Sequence, residues 1–258
     1  MINNDKIGLV LSGGGYRGLA HVGVLKAMKE RNIEADFVSG TSAGAIVGAL
    51  YASGASWEDI LRFFKEADVI SYRHYTFQKA GILDSIKYVN WLTEFFPENS
   101  FEALKIPLFV ATTDLLEART KYHFTGELVK PLIASCAVPG MFSPIEFEGR
   151  FLCDGGVTNN LPVEPLITLA DKIIGVYVNP LQRISQKELK STRSVLQRAY
   201  LIMRKSMSQK DMDNFDVFIA PEKLSQFAIL SKNRLDEIFE LGYEQACIQL
   251  DEWLDKIK

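Results

Sequence analysis

The chain reads as an α/β protein of three layers, with a mostly parallel central sheet and helices on both faces. Three observations predict this. Short runs of β-branched and apolar residues recur along the sequence, with helix-patterned stretches between most of them, the alternation that builds parallel sheets covered on both sides. The first two runs each end in a small-residue turn that opens directly into a helix pattern, at Ser12-Gly18 and at Gly40-Gly44. No Pro/Gly/Ser-rich linker, low-complexity tract or internal repeat divides the 258 residues, so a single domain over 1–258 with one large core is expected.

Taken in order, Ile7 to Leu11 is a first strand, and the pattern from Leu19 to Arg31 is a helix. Phe37 to Ser39 is the second strand, with a small-residue helix over Ala45 to Ala52 behind it. Ser56 and Asp59 have the spacing of a capping box that opens a third helix, and Asp84 caps another running to Phe96. Further strands are expected at Leu108–Thr113, Lys121–Phe124, Phe151–Cys153, Ile173–Val178 and Val217–Ala220. A long helix from Ser231 to Ile257 carries Leu235, Ile238, Phe239, Ala246, Leu250, Trp253 and Leu254 on one apolar side, and its role is architectural.

Three motifs carry chemistry. Gly40-Thr41-Ser42-Ala43-Gly44 is a G-x-S-x-G elbow between a strand and a helix; such a turn presents its serine hydroxyl at the sheet edge and needs small neighbours so that the helix can pack closely. The helix N-terminus behind it offers unpaired amides and partial positive charge where an oxyanion would form. Ser12-Gly13-Gly14-Gly15-Tyr16-Arg17-Gly18 leaves a run of backbone N–H groups uncovered, suited either to phosphate or to an oxyanion. Phe151-Leu152-Cys153-Asp154-Gly155-Gly156 is a strand that delivers an aspartate and then turns.

Gly13, Gly15 and Gly18 satisfy the dinucleotide fingerprint G-x-G-x-x-G, with Asp36 near the distance of a ribose-binding acid. Position argues against that reading. Asp36 lies at the start of the second strand, whereas the ribose acid belongs at its end, and that end is occupied by the serine elbow. The base that would activate Ser42 is constrained as well. The chain has three histidines, His21, His74 and His123, and no histidine lies beyond His123 to follow an acid further downstream, as the serine, acid, histidine order of α/β-hydrolases would need. Either a histidine is placed unusually or Ser42 is activated without imidazole, with Asp154 the candidate base. His21 reads as a packed helix residue, His74 and His123 as surface residues.

The glycine loop, serine elbow and Asp-Gly-Gly turn, in that order, resemble the patatin-like phospholipase family, whose pattern is Gly-Gly-Gly-x-Arg/Lys-Gly, Gly-x-Ser-x-Gly and Asp-Gly-Gly/Ala. Ala134-Ser135-Cys136-Ala137-Val138-Pro139-Gly140 with Phe142 and Pro144, and Asn160-Leu161-Pro162-Val163, also look like small bacterial members, so the resemblance spans roughly residues 5 to 180. Ser12 departs from it, since many relatives carry aspartate there. The resemblance implies a serine esterase of lipid metabolism, a phospholipase A or lysophospholipase, with a Ser42–Asp154 catalytic dyad. It implies an oxyanion hole from the amides of Gly13, Gly14 and Gly15, of which Gly14 and Gly15 are favoured, and motif support from Arg17, Gly18, Gly40, Gly44, Gly155 and Gly156. Arg17 is expected to brace the loop. Two further readings stand beside it: a lipid-binding or regulatory protein of the same fold with little turnover, and an esterase or thioesterase for soluble acyl substrates.

Composition fits a single enzyme domain. A formal net charge of −3 argues against general nucleic-acid binding. Cys136, Cys153 and Cys247 are odd in number and lack metal spacing, so reduced buried thiols are expected, with no metal and no cofactor implied. No signal-peptide pattern and no apolar run of about 18 residues is visible, so a cytoplasmic protein is expected, with any membrane contact peripheral to the inner face. Two segments could make such contact. Trp57 to Phe101 holds eleven aromatic residues, most of them read as core and some as lining for an acyl pocket or lid. Ser185 to Asp211 holds seven cations against two anions with apolar residues at helical spacing, and reads either as a solvated helix covering the sheet or as a basic amphipathic helix for anionic headgroups. Oligomeric state is not encoded in any of these features.

Overall fold

The computed structural model describes residues 5–66, 92–229 and 232–257. In chain order the strands and helices are β1 (Ile7–Leu11), α1 (Leu19–Glu30), β2 (Phe37–Thr41), α2 (Ala43–Ser53), α3 (Trp57–Glu66), β3 (Leu108–Asp114), β4 (Arg119–His123) and α4 (Val129–Cys136). They continue with β5 (Ile145–Phe147), β6 (Arg150–Asp154), β7 (Lys172–Val176), α5 (Thr192–Ser208), β8 (Val217–Ile219) and α6 (Leu235–Ile257). Each strand expected from the sequence is present, most with ends shifted by a residue or two. β5 was not anticipated; three residues are too few to show a period.

β1 is buried along its whole length, as a continuous apolar run in a covered parallel strand should be. It pairs in parallel with β2 and β7, and the sheet runs β5-β6-β3-β2-β1-β7-β8, with β4 added to β3. Leu9 and Leu11 face one large core shared with α1, α2, α3, α4 and α6. Val10, pointing the other way by strand alternation, joins a second core of Leu161, Val163, Leu166, Ile173 and Tyr177, supplied largely by the irregular segment between β6 and β7. α1 and α6 lie along each other so closely that a Cβ on Gly23 would strike the backbone of Phe239 and Tyr243.

The sheet is mixed at β3, and this detail positions the site. β3 pairs in parallel with β2 through Leu108 to Ala111, and antiparallel with β6 through Thr112 to Asp114. β4 pairs antiparallel with Val110 to Asp114 and so occupies the other edge against both. β2 and β6 therefore share one edge of β3 and meet end to end: β2 stops at Thr41 opposite Ala111, and β6 stops at Asp154 opposite Thr112.

Of the aromatic-rich segment, Phe63, Phe64, Phe96 and Phe101 are buried in the main core, and Phe95 packs edge-on to Phe63 at 4.8 Å. Tyr72, Tyr75, Phe77, Tyr88, Trp91, the cap at Asp84 and His74 lie outside the described residues. His123 corrects an expectation. It is buried, with Nε2 2.9 Å from Thr112 Oγ1 and its ring against Phe147, because it is the last residue of β4 and faces β3.

Candidate active site

Ser42 sits between β2 and α2 with φ 54° and ψ −124°, a conformation that side chains rarely adopt and that costs about 1–3 kcal/mol. Two neighbours hold it there. A Cβ on Gly44 would strike the backbone of Leu11 and Ser12, so only glycine lets α2 start this close to the end of β1. The Ser42 N–H donates to Ser135 Oγ at 2.8 Å, and the Ser135 hydroxyl donates to the Ala111 carbonyl at 2.7 Å. Ser135 thus ties the elbow to β3, a role that no sequence pattern revealed; its segment was quoted above only for its resemblance.

Asp154 ends β6 one register step beyond the end of β2. Its N–H donates to the Ala137 carbonyl at 3.0 Å, and its own carbonyl accepts from Thr113 Oγ1 at 2.9 Å. Oδ1 accepts from the Gly156 N–H at 2.6 Å, the bond that makes Asp154 the cap of the following turn, while Oδ2 is buried with no hydrogen-bond partner. Asp154 is 0 % exposed, and burial pushes its carboxyl above the ordinary range of an aspartate. The Arg204 guanidinium, the Gly156 N–H and the Ser42 hydroxyl pull it back. Ser42 follows the end of β2, and the ends of β2 and β6 on adjacent residues of β3 set it beside this carboxyl. The Ser42 hydroxyl also acts on the Cys136 thiol, which burial and the Asp154 charge push up to about 12, so that Cys136 stays protonated.

The glycine loop lies beside this pair. The Gly13 N–H donates to the Asn160 carbonyl at 3.2 Å, which removes it from the three amides expected to be open; Gly13 contributes space instead, since a Cβ there would come within 3.0 Å of the Ser42 Cβ. The N–H groups of Gly14 and Gly15 have no such partner among the described residues. Gly15 has φ +57°, a left-handed turn that carries the chain into the helical segment Gly15–Gly18. Arg17 donates from Nε and Nη2 to the Phe227 carbonyl at 2.8 and 2.6 Å, bracing the loop against the segment before α6. Ser12 Oγ accepts the Val178 N–H at 3.0 Å, and its carbonyl lies 2.8 Å from His21 Nε2. A carbonyl can only accept, so His21 carries its proton on Nε2; full burial pushes its pKa down to about 4 and keeps it neutral. Among the described residues no group of His, Cys, Asp and Glu side chains could hold a metal.

Arg204, read from the sequence as one cation of a basic segment, reaches this site from α5. It is 4 % exposed and donates to Asn160 Oδ1. A Cβ on Gly13 or on Gly156 would come within 2.7 Å of its Nη2, so the guanidinium lies between the glycine loop and the Asp-Gly-Gly turn. The sequence could not separate it from its solvated neighbours, because inward and outward cations look alike on a basic helix.

The patatin-like phospholipase family model matches residues 9–167, more than half of the chain and all three motifs. The chain belongs to the patatin-like phospholipase family. Its curated relatives include an uncharacterised NTE family protein of Mycobacterium tuberculosis, 33% identical over 183 residues, which cover 69% of this chain and 50% of that protein. They also include the lysophospholipase NTE1 of Mycosarcoma maydis, 30% identical over 280 residues, 96% of this chain but 15% of the relative. The chain thus spans half or less of the curated relatives it matches. VipD from Legionella pneumophila superposes with a TM-score of 0.64 at 15% identity, over 96% of this chain and 67% of that one, and so shares the patatin-like fold.

Proposed function

We propose that this patatin-like protein is a serine acyl-ester hydrolase for phospholipid or lysophospholipid, with Ser42 as nucleophile and Asp154 as its base. The observation that carries the reading is the Asp154 carboxyl, buried, anchored through one oxygen, free of protein hydrogen bonds at the other, and one register step along β3 from the strand end that delivers Ser42. The Ser42 Oγ attacks the ester carbonyl as Asp154 takes its proton, and the carbonyl electron pair moves onto the oxygen. The N–H groups of Gly14 and Gly15 receive that oxyanion, each donor worth about 3 kcal/mol in comparable sites. Collapse of the adduct expels the alcohol, which recovers the proton from Asp154, and water then hydrolyses acyl-Ser42 by the same steps. An aspartate is ordinarily a weak base, with a pKa near ~3.9. Burial raises Asp154 above that value, toward the working pH at which a general base is most effective.

Neither buried histidine offers a rival. His21 is fixed to Ser12, and His123 contacts Thr112 on β3. No helix among the described residues is long and apolar enough to cross a membrane.

Covalent labelling with a fluorophosphonate, mapped by peptide mass, tests the reading. Wild type should label at Ser42, Ser42→Ala should not, and folded Asp154→Asn should label far more slowly. Wild type that never labels, with or without vesicles, would make this a lipid-binding protein with a dormant site.

A further inference from the structure

Ser42 is 7 % exposed and Asp154 0 %, so the proposed dyad is nearly closed off from solvent as it stands. What covers them is the inner side of α5. Arg204 places its guanidinium between Gly13 and Gly156, on the side of the glycine loop where the Ser42 Cβ lies. Tyr200 packs against it at 5.4 Å and is near enough to Asp154 to feel its charge, and Ser208 is buried next to Tyr177. Yet the cover is loosely seated. Arg204 Nε and the Tyr200 hydroxyl are buried without partners, and the backbone of α5 approaches the strands and the other helices only sparsely. A cavity of about 570 Å³ opens between Lys205 and Ser208 on one side and Tyr177, Phe218 and Ala220 on the other.

The outer side of the same helix is unusual in the opposite sense. At 100° per residue Val195, Leu196, Ala199, Ile202, Met203 and Ser206 fall within about 120° of arc. All six are exposed, Leu196 by 64 % and Met203 by 60 %. No acidic residue occurs between Thr192 and Ser208; Lys205 and Arg198, the latter also donating to the Gln182 carbonyl at 2.7 Å, lie along one edge of the stripe, and exposed Lys187 and Lys190 precede it.

We infer that the outer face of α5 is a docking surface for an anionic lipid bilayer, and that docking draws α5 and Arg204 away from Ser42. The inference rests on the lipid-ester reading above and adds how that substrate is met. An apolar stripe with cations along one edge and before its start is the form of a helix that lies in a headgroup layer, with its apolar side in the acyl boundary and the cations against phosphates. A second copy of the chain fits less well, since it would set one cationic rim against another. To the extent that the stripe sinks more fully into lipid once α5 is displaced, the bilayer shifts the equilibrium toward the uncovered serine.

The test uses the full chain and the small, water-soluble probe diisopropyl fluorophosphate, with Ser42 labelling followed by intact mass. Phosphatidylcholine vesicles containing phosphatidylglycerol should raise the labelling rate about ten-fold or more, and pure phosphatidylcholine vesicles should not. The double variant Leu196→Asp, Met203→Asp, altered only on the exposed stripe, should keep the vesicle-free rate and lose the stimulation. An unchanged rate on anionic vesicles overturns the inference, as does a double variant that responds like wild type. Stimulation by soluble polyglutamate but not by vesicles overturns it in favour of an acidic protein partner. Labelling that is fast and indifferent to vesicles leaves the hydrolase reading intact and removes only the docking; no labelling under any condition removes both.

Discussion

Replacing Ser135 with alanine removes one oxygen and leaves two backbone groups to account for. The Ser42 N–H loses its acceptor at 2.8 Å, and the Ala111 carbonyl loses a donor at 2.7 Å. Ser135 is fully buried, so water does not reach these groups without local rearrangement. Each buried polar group left unpaired costs about 1–3 kcal/mol, and the carbonyl keeps a second lone pair, so the expected loss is about 2–4 kcal/mol. For a domain of this length that lowers Tm by roughly 5–10 °C. The elbow at Ser42 stores strain of about 1–3 kcal/mol, comparable to the bridge, so the freed turn should relax and misplace the hydroxyl. The assays are a thermal melt and the fluorophosphonate rate at a temperature where the variant is folded, where a fall of about ten-fold or more is expected. A melt within a degree of wild type together with an unchanged rate would refute the account of how the elbow is held.

Three further outcomes follow from the geometry. Ser42 labelling should rise with pH as Asp154 ionises, with a midpoint above that of an ordinary aspartate; Arg204→Met, which removes a charge that favours the carboxylate, should move the midpoint higher, and a midpoint that stays or drops would contradict the placement of Arg204. His21 and His123 are each held at about 4 against an unfolded value of 6.5, so the unfolded chain binds more protons between those pH values. Stability present above pH 6.5 should therefore be lost as pH falls toward 4, by about 3 kcal/mol per histidine, and urea midpoints that are flat from pH 7 to about 4.5 would rule this out. Gly44→Ala should cost more than ~4 kcal/mol or prevent folding, because the added Cβ meets backbone of Leu11 and Ser12 rather than a movable side chain; a soluble variant with an unchanged melt would show that α2 can shift.

Motifs that are continuous in sequence were legible, and relations between distant residues were not. The glycine loop, the elbow and Asp154 each sit where a strand ends and a turn begins, and the residue types that permit those turns announce themselves locally. Strand direction leaves no such mark. A five-residue apolar run looks the same in parallel and antiparallel pairing, so the reversal of β4 and β6 became visible only in the sheet. Ser135 is a serine inside a helix, ordinary until its partners are known. His123 was misplaced because Lys121 and Tyr122 beside it are half-exposed polar residues, while at the end of β4 the His123 ring alone is covered by Thr112 and Phe147. Arg204 required knowing which side of α5 faces the site.

The end-to-end meeting of β2 and β6 on β3 makes one strand a ruler for the proposed dyad. The spacing of Ser42 and Asp154 is counted in residues of β3, and a strand advances in steps of about 3.3 Å. Evolution cannot tune this separation by degrees. Lengthening the turn at Glu148 and Gly149 between β5 and β6 leaves the count unchanged, whereas a one-residue slip of β6 along β3 sends Asp154 to the opposite face of the sheet. Substrate range in such a scaffold can drift through its cover and its loops while the interval between nucleophile and base stays discrete.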